Sequence, residues 1–187
     1  EDSKRCSMTG DYSGDFLAFK RTKIISVLRK SGYTYAEAAE FCIEKYRTEE
    51  TVLFVVNTKE AAFEIYEELC KKKDSDMILV HLSTNMCPEN RRILIKDLKE
   101  QLKGDKVICV TTCLIEAGVD ISFRCVIRSL AGMDNAAQAA GRCNRNGEEG
   151  KCCPVYLLNL CEERIGNMKA IKTAQDVSLF GSGIVCN

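Results

Sequence analysis

The chain has 187 residues, 45% of them hydrophobic and 29% charged, and its 27 basic and 27 acidic side chains leave no net charge. That length suits one α/β domain with a real core. It excludes a membrane-spanning helix, because no apolar run approaches the roughly 18–20 residues that a bilayer requires, and it leaves nucleic-acid binding open, since a basic face can be offset elsewhere.

The first residues, Glu1-Asp2-Ser3-Lys4-Arg5, have no apolar stretch behind them. No signal peptide is expected, and the cytoplasm is the expected compartment. A start at Glu1 suggests a piece of a longer chain. Residues 1–33 read as a lead-in or a join to a missing domain, with a weakly alternating stretch at 16–28 that can hold a strand. Thr34-Tyr35-Ala36-Glu37 matches a capping box and opens a helix to about Tyr46, with Ala38, Ala39, Phe41 and Cys42 on its apolar side.

A regular alternation follows. The apolar run 52–56 reads as a strand buried on both sides. Asn57 or Thr58 caps a helix to about Lys72, with Ala62, Ile65, Tyr66 and Leu69 facing inward. Residues 77–82 form a second strand. Pro88 opens a helix striped by Ile95, Leu98 and Leu102, and Gly104 ends it. Residues 106–110, 125–130 and 155–160 supply further strands, and Asp134 caps the helix that carries Gln138. Strands alternating with helices predict an α/β fold with a parallel sheet covered on both faces. Ligands then meet the carboxyl ends of the strands, where residues 57–58, 81–83, 111–112 and the segment after Leu130 fall. The domain spans 34–165, and 166–187 is an extension.

Twelve cysteines and one histidine include no C-x₂-C pair, only Cys109/Cys113 and the adjacent Cys152-Cys153. No metal site is expected from them. Cys109, Cys125 and Cys161 sit in apolar runs, where reduced thiols behave as small hydrophobes.

The chemistry concentrates in Gln138-Ala139-Ala140-Gly141-Arg142-Cys143-Asn144-Arg145-Asn146-Gly147. A glutamine, a glycine and two arginines recur at spacings 0, 3, 4 and 7, near one face of a helix. Two guanidinium forks beside a glycine suit a polyphosphate. Yet the chain has no G-x-x-x-x-G-K-[ST] loop and no acidic box after a strand, so tight nucleotide binding by this chain alone is not expected. Gly181-Ser182-Gly183 reads as a flexible tail.

Thr111-Thr112-Cys113-Leu114-Ile115-Glu116-Ala117-Gly118-Val119-Asp120-Ile121 is the second element. Two hydroxyls at a strand end can bond a sugar-phosphate backbone, or can simply cap a short helix. Gly118 permits a tight turn, and Asp120 can accept from a ribose, fix an arginine, or cap a turn. His81 has no nucleophile or carboxylate partner legible in the sequence and reads as structural or as contacting a backbone. Arg91 and Arg92 read equally as phosphate ligands and as exposed charges.

In order and spacing these two segments resemble motifs V and VI of superfamily 2 helicases. Residues 52–58 resemble motif IV, and His81-Leu82-Ser83 with Arg91 and Arg92 resembles the segment after it, so the likeness covers about residues 50–160. The wording is similar to the helicase-nuclease of type I CRISPR systems. That resemblance implies the second of two RecA-like lobes, with ATP bound between them. The first lobe of the same parent chain would bring the P-loop and hold Mg²⁺, and this fragment alone would be inactive with no ligand bound.

The resemblance implies that Arg145 is the arginine finger, a device worth about 10³–10⁵-fold in rate, and that Arg142 contacts the terminal phosphates. Gln138 would couple phosphate sensing to lobe closure, while Gly118 and Asp120 line the nucleotide side. Thr58, Ser83, Thr111 and Thr112 would touch single-stranded DNA, and a guide-RNA surveillance complex would be a partner. Cys113 and the Arg124-Cys125 pair depart from the family pattern without touching the arginine cluster. The family's nuclease uses His/Asp metal sites, which one histidine and no His-Asp pair do not provide. The competing readings are the same lobe in a DNA or RNA helicase outside CRISPR defence, a binding module without motor function, and a metal or redox protein.

Overall fold

The computed structural model describes residues 21–83, 85–104, 106–112 and 121–164. Strands β1 (Thr22–Ser26), β2 (Thr51–Val55), β3 (Ile78–Leu82), β4 (Val107–Thr111), β5 (Cys125–Ser129) and β6 (Cys153–Leu158) form one sheet in the order β1-β6-β5-β2-β4-β3. Every pairing is parallel. Among the described residues the helices are α1 (Tyr35–Glu49), α2 (Lys59–Lys71), α3 (Pro88–Gln101) and α4 (Met133–Ala140).

The apolar strand runs are explained by two cores, one on each face. Val52, Phe54 and Val56 pack with Ile108, Val110, Cys125 and Ile127 against α1 and α2. The alternate residues Leu53 and Val55 pack with Val107, Cys109 and Val126 against Leu98 of α3 and Ala139 of α4. Period-two geometry sends neighbouring side chains to opposite faces, so a strand with helices on both sides must be apolar throughout. At the sheet's edge β1 is half-exposed, yet Ile24 pairs with Val155 of β6. The sheet therefore starts upstream of residue 34.

Thr34 and Glu37 form the expected capping box, with Glu37 N–H on the Thr34 hydroxyl at 3.2 Å and Thr34 N–H on Oε2 of Glu37 at 2.9 Å. Those bonds from the Thr34 backbone and hydroxyl, then Arg29, hold the Glu37 carboxyl below its usual range. Helix α1 continues past Tyr46 to Glu49. Thr58, rather than Asn57, caps α2 by accepting from Ala61 N–H at 3.1 Å.

In α3 Leu98 is fully buried, with Ile95 and Leu102 partly buried beside it, as the stripe predicts. Three local expectations change. The helix closes before Gly104, with Leu102 at the cap. Gly132, not Asp134, occupies the cap position of α4, leaving Asp134 in the first turn, where its charge favours the exposed amides. Cys161 is exposed, because the chain has left β6 and turns toward Tyr33. All nine described cysteines are free.

Candidate functional site

The arginine segment is not one helical face. Helix α4 stops at Ala140, and hydrogen bonding tightens from Gly141 N–H on Ala137 O to Arg142 N–H on Ala139 O and Cys143 N–H on Ala140 O, each at 3.0 Å. Glycine is a poor helix continuer, and here the chain has a competing partner. Phe123 N–H donates to Arg142 O at 2.9 Å and Phe123 O accepts from Asn144 N–H at 2.8 Å, a parallel bridge between Phe123 and Cys143. Gln138 is exposed on the helix, Arg142 is buried, and Arg145 is half-buried on the turn beyond.

The bridge ties the arginines to the segment that follows Asp120. Arg145 N–H donates to the Ser122 hydroxyl at 3.0 Å. Gly118 and Asp120 themselves lie outside the described residues. Arg124 pairs through Nε with Glu149 at 2.9 Å, and its Nη1 reaches Glu50, so it flanks the arginine turn through these acidic partners. Glu149 N–H in turn donates to the Asn144 side chain at 3.3 Å. A cavity of about 470 Å³ lies between the end of α3, at Lys99 and Lys103, and Ser122, Arg124, Asn144 and Glu149.

This loop occupies the amino-terminal edge of the sheet, since Asn144 bonds the carbonyls of Arg21 and Lys151, just ahead of β1 and β6. The expectation that all the informative residues share the carboxyl edge therefore fails for the arginines. Helix α4 leaves that edge after Leu130 and carries the chain back by about 12 Å along its axis.

The hydroxyl residues do gather at the carboxyl edge, on the neighbouring strands β2, β4 and β3. Thr58 and Ser83 are half-buried, and Thr112 is 7% exposed. Thr111 is fully buried, its hydroxyl 3.2 Å from the carbonyls of Leu82 and Thr112, where it ties β4 to β3. Ser83 Oγ accepts from Asn85 N–H at 3.3 Å.

Glu163, which the sequence did not flag, anchors the same edge. Its carboxylate, 8% exposed with its residue, accepts from Asn57 N–H at 2.6 Å, Thr58 N–H at 3.0 Å, Asn57 Nδ2 at 2.9 Å and the Ser129 hydroxyl at 2.6 Å. Its partners lie 34 to 106 positions away, so no local pattern announces it. Among the described residues no group of three or more His, Cys, Asp or Glu side chains is arranged to hold a metal ion, and no helix is long and apolar enough to cross a membrane.

Residues 48–148, more than half of the chain, match the family model of the CRISPR-associated nuclease/helicase Cas3, C-terminal region. The chain belongs to the Cas3 C-terminal family. Cas3 of Haloferax volcanii is 38% identical over 86 residues, 45% of this chain and 9% of the relative. Cas3 of Methanothermobacter thermautotrophicus is 32% identical over 100 residues, 53% of this chain and 12% of the relative. The chain thus spans about a tenth of the Cas3 proteins it matches. The ADP-bound crystal structure of T. fusca Cas3 superposes with a TM-score of 0.63 at 16% identity, over 77% of this chain and 19% of that one. Domain 2 of the DEAD-box helicase Mss116p, bound to an RNA duplex, gives 0.58 at 16% identity, over 88% and 61%. At such identities the likeness establishes the fold: this Cas3 C-terminal region has a RecA-like parallel sheet.

Proposed function

We propose that this chain is the second motor lobe of an ATP-dependent helicase that moves along single-stranded DNA during CRISPR interference. The observation that carries this reading is the bond from Arg145 N–H to Ser122, which fastens the arginine turn to the segment just after Asp120. Ser122, just past the first motif, thereby links the end of that motif to the second. Arg145 acts as the arginine finger and Arg142 contacts the terminal phosphates. Gln138 links them to closure, and Gly118 and Asp120 line the nucleotide side. ATP and Mg²⁺ are delivered by the first lobe of the parent chain, and this chain supplies positive charge to the phosphates from across the cleft.

Thr58, Ser83 and Thr112, with Thr111 beneath them, form the strand-facing edge. Contacts there follow the sugar-phosphate backbone and carry no sequence information. The separation of this edge from the arginines supports a motor in which strand and nucleotide occupy different surfaces. A guide-RNA surveillance complex is the partner this reading assigns; one similar solved structure is such a complex before nicking. The fold alone suits equally a DNA or RNA helicase outside defence, given the likeness to Mss116p.

The test is Arg145→Ala in the helicase that joins this lobe to its ATP-binding lobe. Turnover is lost while strand affinity stays within a few-fold, and the isolated chain hydrolyses no ATP. Unchanged turnover in the variant removes Arg145 from the reaction. Comparing DNA with RNA as the stimulating strand separates the two readings.

A further inference from the structure

We infer that Asn144 is a positioning residue that sets the aim of Arg145, an inference that rests on the reading of Arg145 as the phosphate-facing arginine. Asn144 lies between the two arginines, is 3% exposed, and has φ +44°. Most side chains avoid that left-handed region, while Asn and Gly enter it at small cost. The turn reverses the chain between Arg142 and Arg145, so the two side chains no longer follow a helical spacing.

Every polar group of Asn144 is committed. Its backbone N–H donates to Phe123 O at 2.8 Å, and its backbone carbonyl accepts from Gly147 N–H at 3.0 Å. Its Nδ2 donates to Lys151 O at 3.0 Å and Arg21 O at 3.4 Å, and its Oδ1 accepts from Glu149 N–H at 3.3 Å. One side chain thus joins the segments leading into β1 and β6, while its backbone joins the segment leading into β5. Arg145 is the next residue, and its own N–H is held by Ser122. Neighbouring peptide planes share a Cα, so a shift at Asn144 passes directly to Arg145. A displacement of 1 Å in a catalytic group can cost about 10²-fold in rate.

The experiment uses the helicase that carries this lobe beside its ATP-binding lobe. Asn144→Gly keeps the left-handed turn and removes the side-chain bonds. Asn144→Asp keeps the shape and sets an acceptor against the Lys151 and Arg21 carbonyls. The expected result in both is a fall of about 10- to 100-fold in strand-stimulated kcat, with strand affinity unchanged. In combination with Arg145→Ala, neither adds to the loss from Arg145→Ala alone, because Asn144 acts through Arg145. Wild-type kcat in Asn144→Gly, or losses that multiply in the double variant, overturns the inference. A thermal melt verifies folding, and Asn144→Asp decides the matter should the glycine variant fail to fold. Wild-type turnover in Arg145→Ala would instead remove the reading of Arg145, an outcome distinct from failure at Asn144.

Discussion

Ser122 accepts the backbone N–H of Arg145 at 3.0 Å, across 23 residues of sequence. A hydroxyl that follows one motif thereby fixes the main chain of the other. Ser122→Ala removes that acceptor without disturbing the bridge between Phe123 and Cys143. A neutral hydrogen bond contributes about 1 kcal/mol, so the expected cost to kcat in the assembled helicase is about 5- to 10-fold. Steady-state ATPase assays with saturating strand measure it, and an unchanged kcat would show that the bond does not aim Arg145.

Glu163 ties the end of β2, Ser129 at the end of β5, and the start of α2 to the segment after β6 through four hydrogen bonds. Truncation leaves two backbone N–H groups and a hydroxyl facing a void, while the Asn57 amide keeps the Leu130 carbonyl and Ser129 Oγ. Glu163→Ala should therefore lose about 3 kcal/mol of stability, as for buried bonds to a charged group. Urea denaturation of the chain reads this as a lower midpoint at constant slope. Glu163→Gln should recover part of it, because its carbonyl oxygen can keep both backbone N–H bonds while its NH₂ faces the Asn57 amide donor.

His81 stacks on Tyr66 with ring centroids 5.2 Å apart, and its buried Nε2 has no hydrogen-bond partner among the described residues. Burial lowers its pKa below the ordinary 6.5. The folded state thus favours neutral imidazole, and the unfolded chain binds the proton more readily. Its contribution to stability is complete above about pH 6.5, falls as pH drops below that value, and levels off beneath the folded pKa. His81→Phe should flatten this part of the profile. Denaturant midpoints measured between about pH 7.5 and 5 check it against the parent chain.

The thiols divide by burial. Cys70, Cys87, Cys152 and Cys161 are exposed, whereas Cys42, Cys109, Cys125, Cys143 and Cys153 are buried. Burial pushes the Cys42, Cys109, Cys125 and Cys143 thiols well above their usual range, which removes the nucleophilic thiolate. Mass-mapped alkylation at neutral pH should label the exposed group in minutes and the buried group only with denaturant. Labelling of Cys143 in the folded chain would contradict the packing of the arginine turn.

The sequence by itself determined the alternation of strands and helices, the buried central strands, the Thr34–Glu37 cap and the family. These are local or periodic signals: a doubly covered strand must be apolar at every position, and a capping box closes within four residues. The tertiary structure alone decided where the site residues lie. Spacing predicted a helix through Arg145, but Phe123 captures the backbone of Arg142 and Asn144 and ends it at Ala140. Spacing also could not separate the two edges, because the position of the arginine turn depends on how far α4 runs back along the sheet. Ser122, Asn144 and Glu163 escaped notice for the same reason, since their partners are brought together by strand order. Polar side chains that work through distant backbone groups leave no period behind them, and only packing shows which carbonyl or amide each one meets.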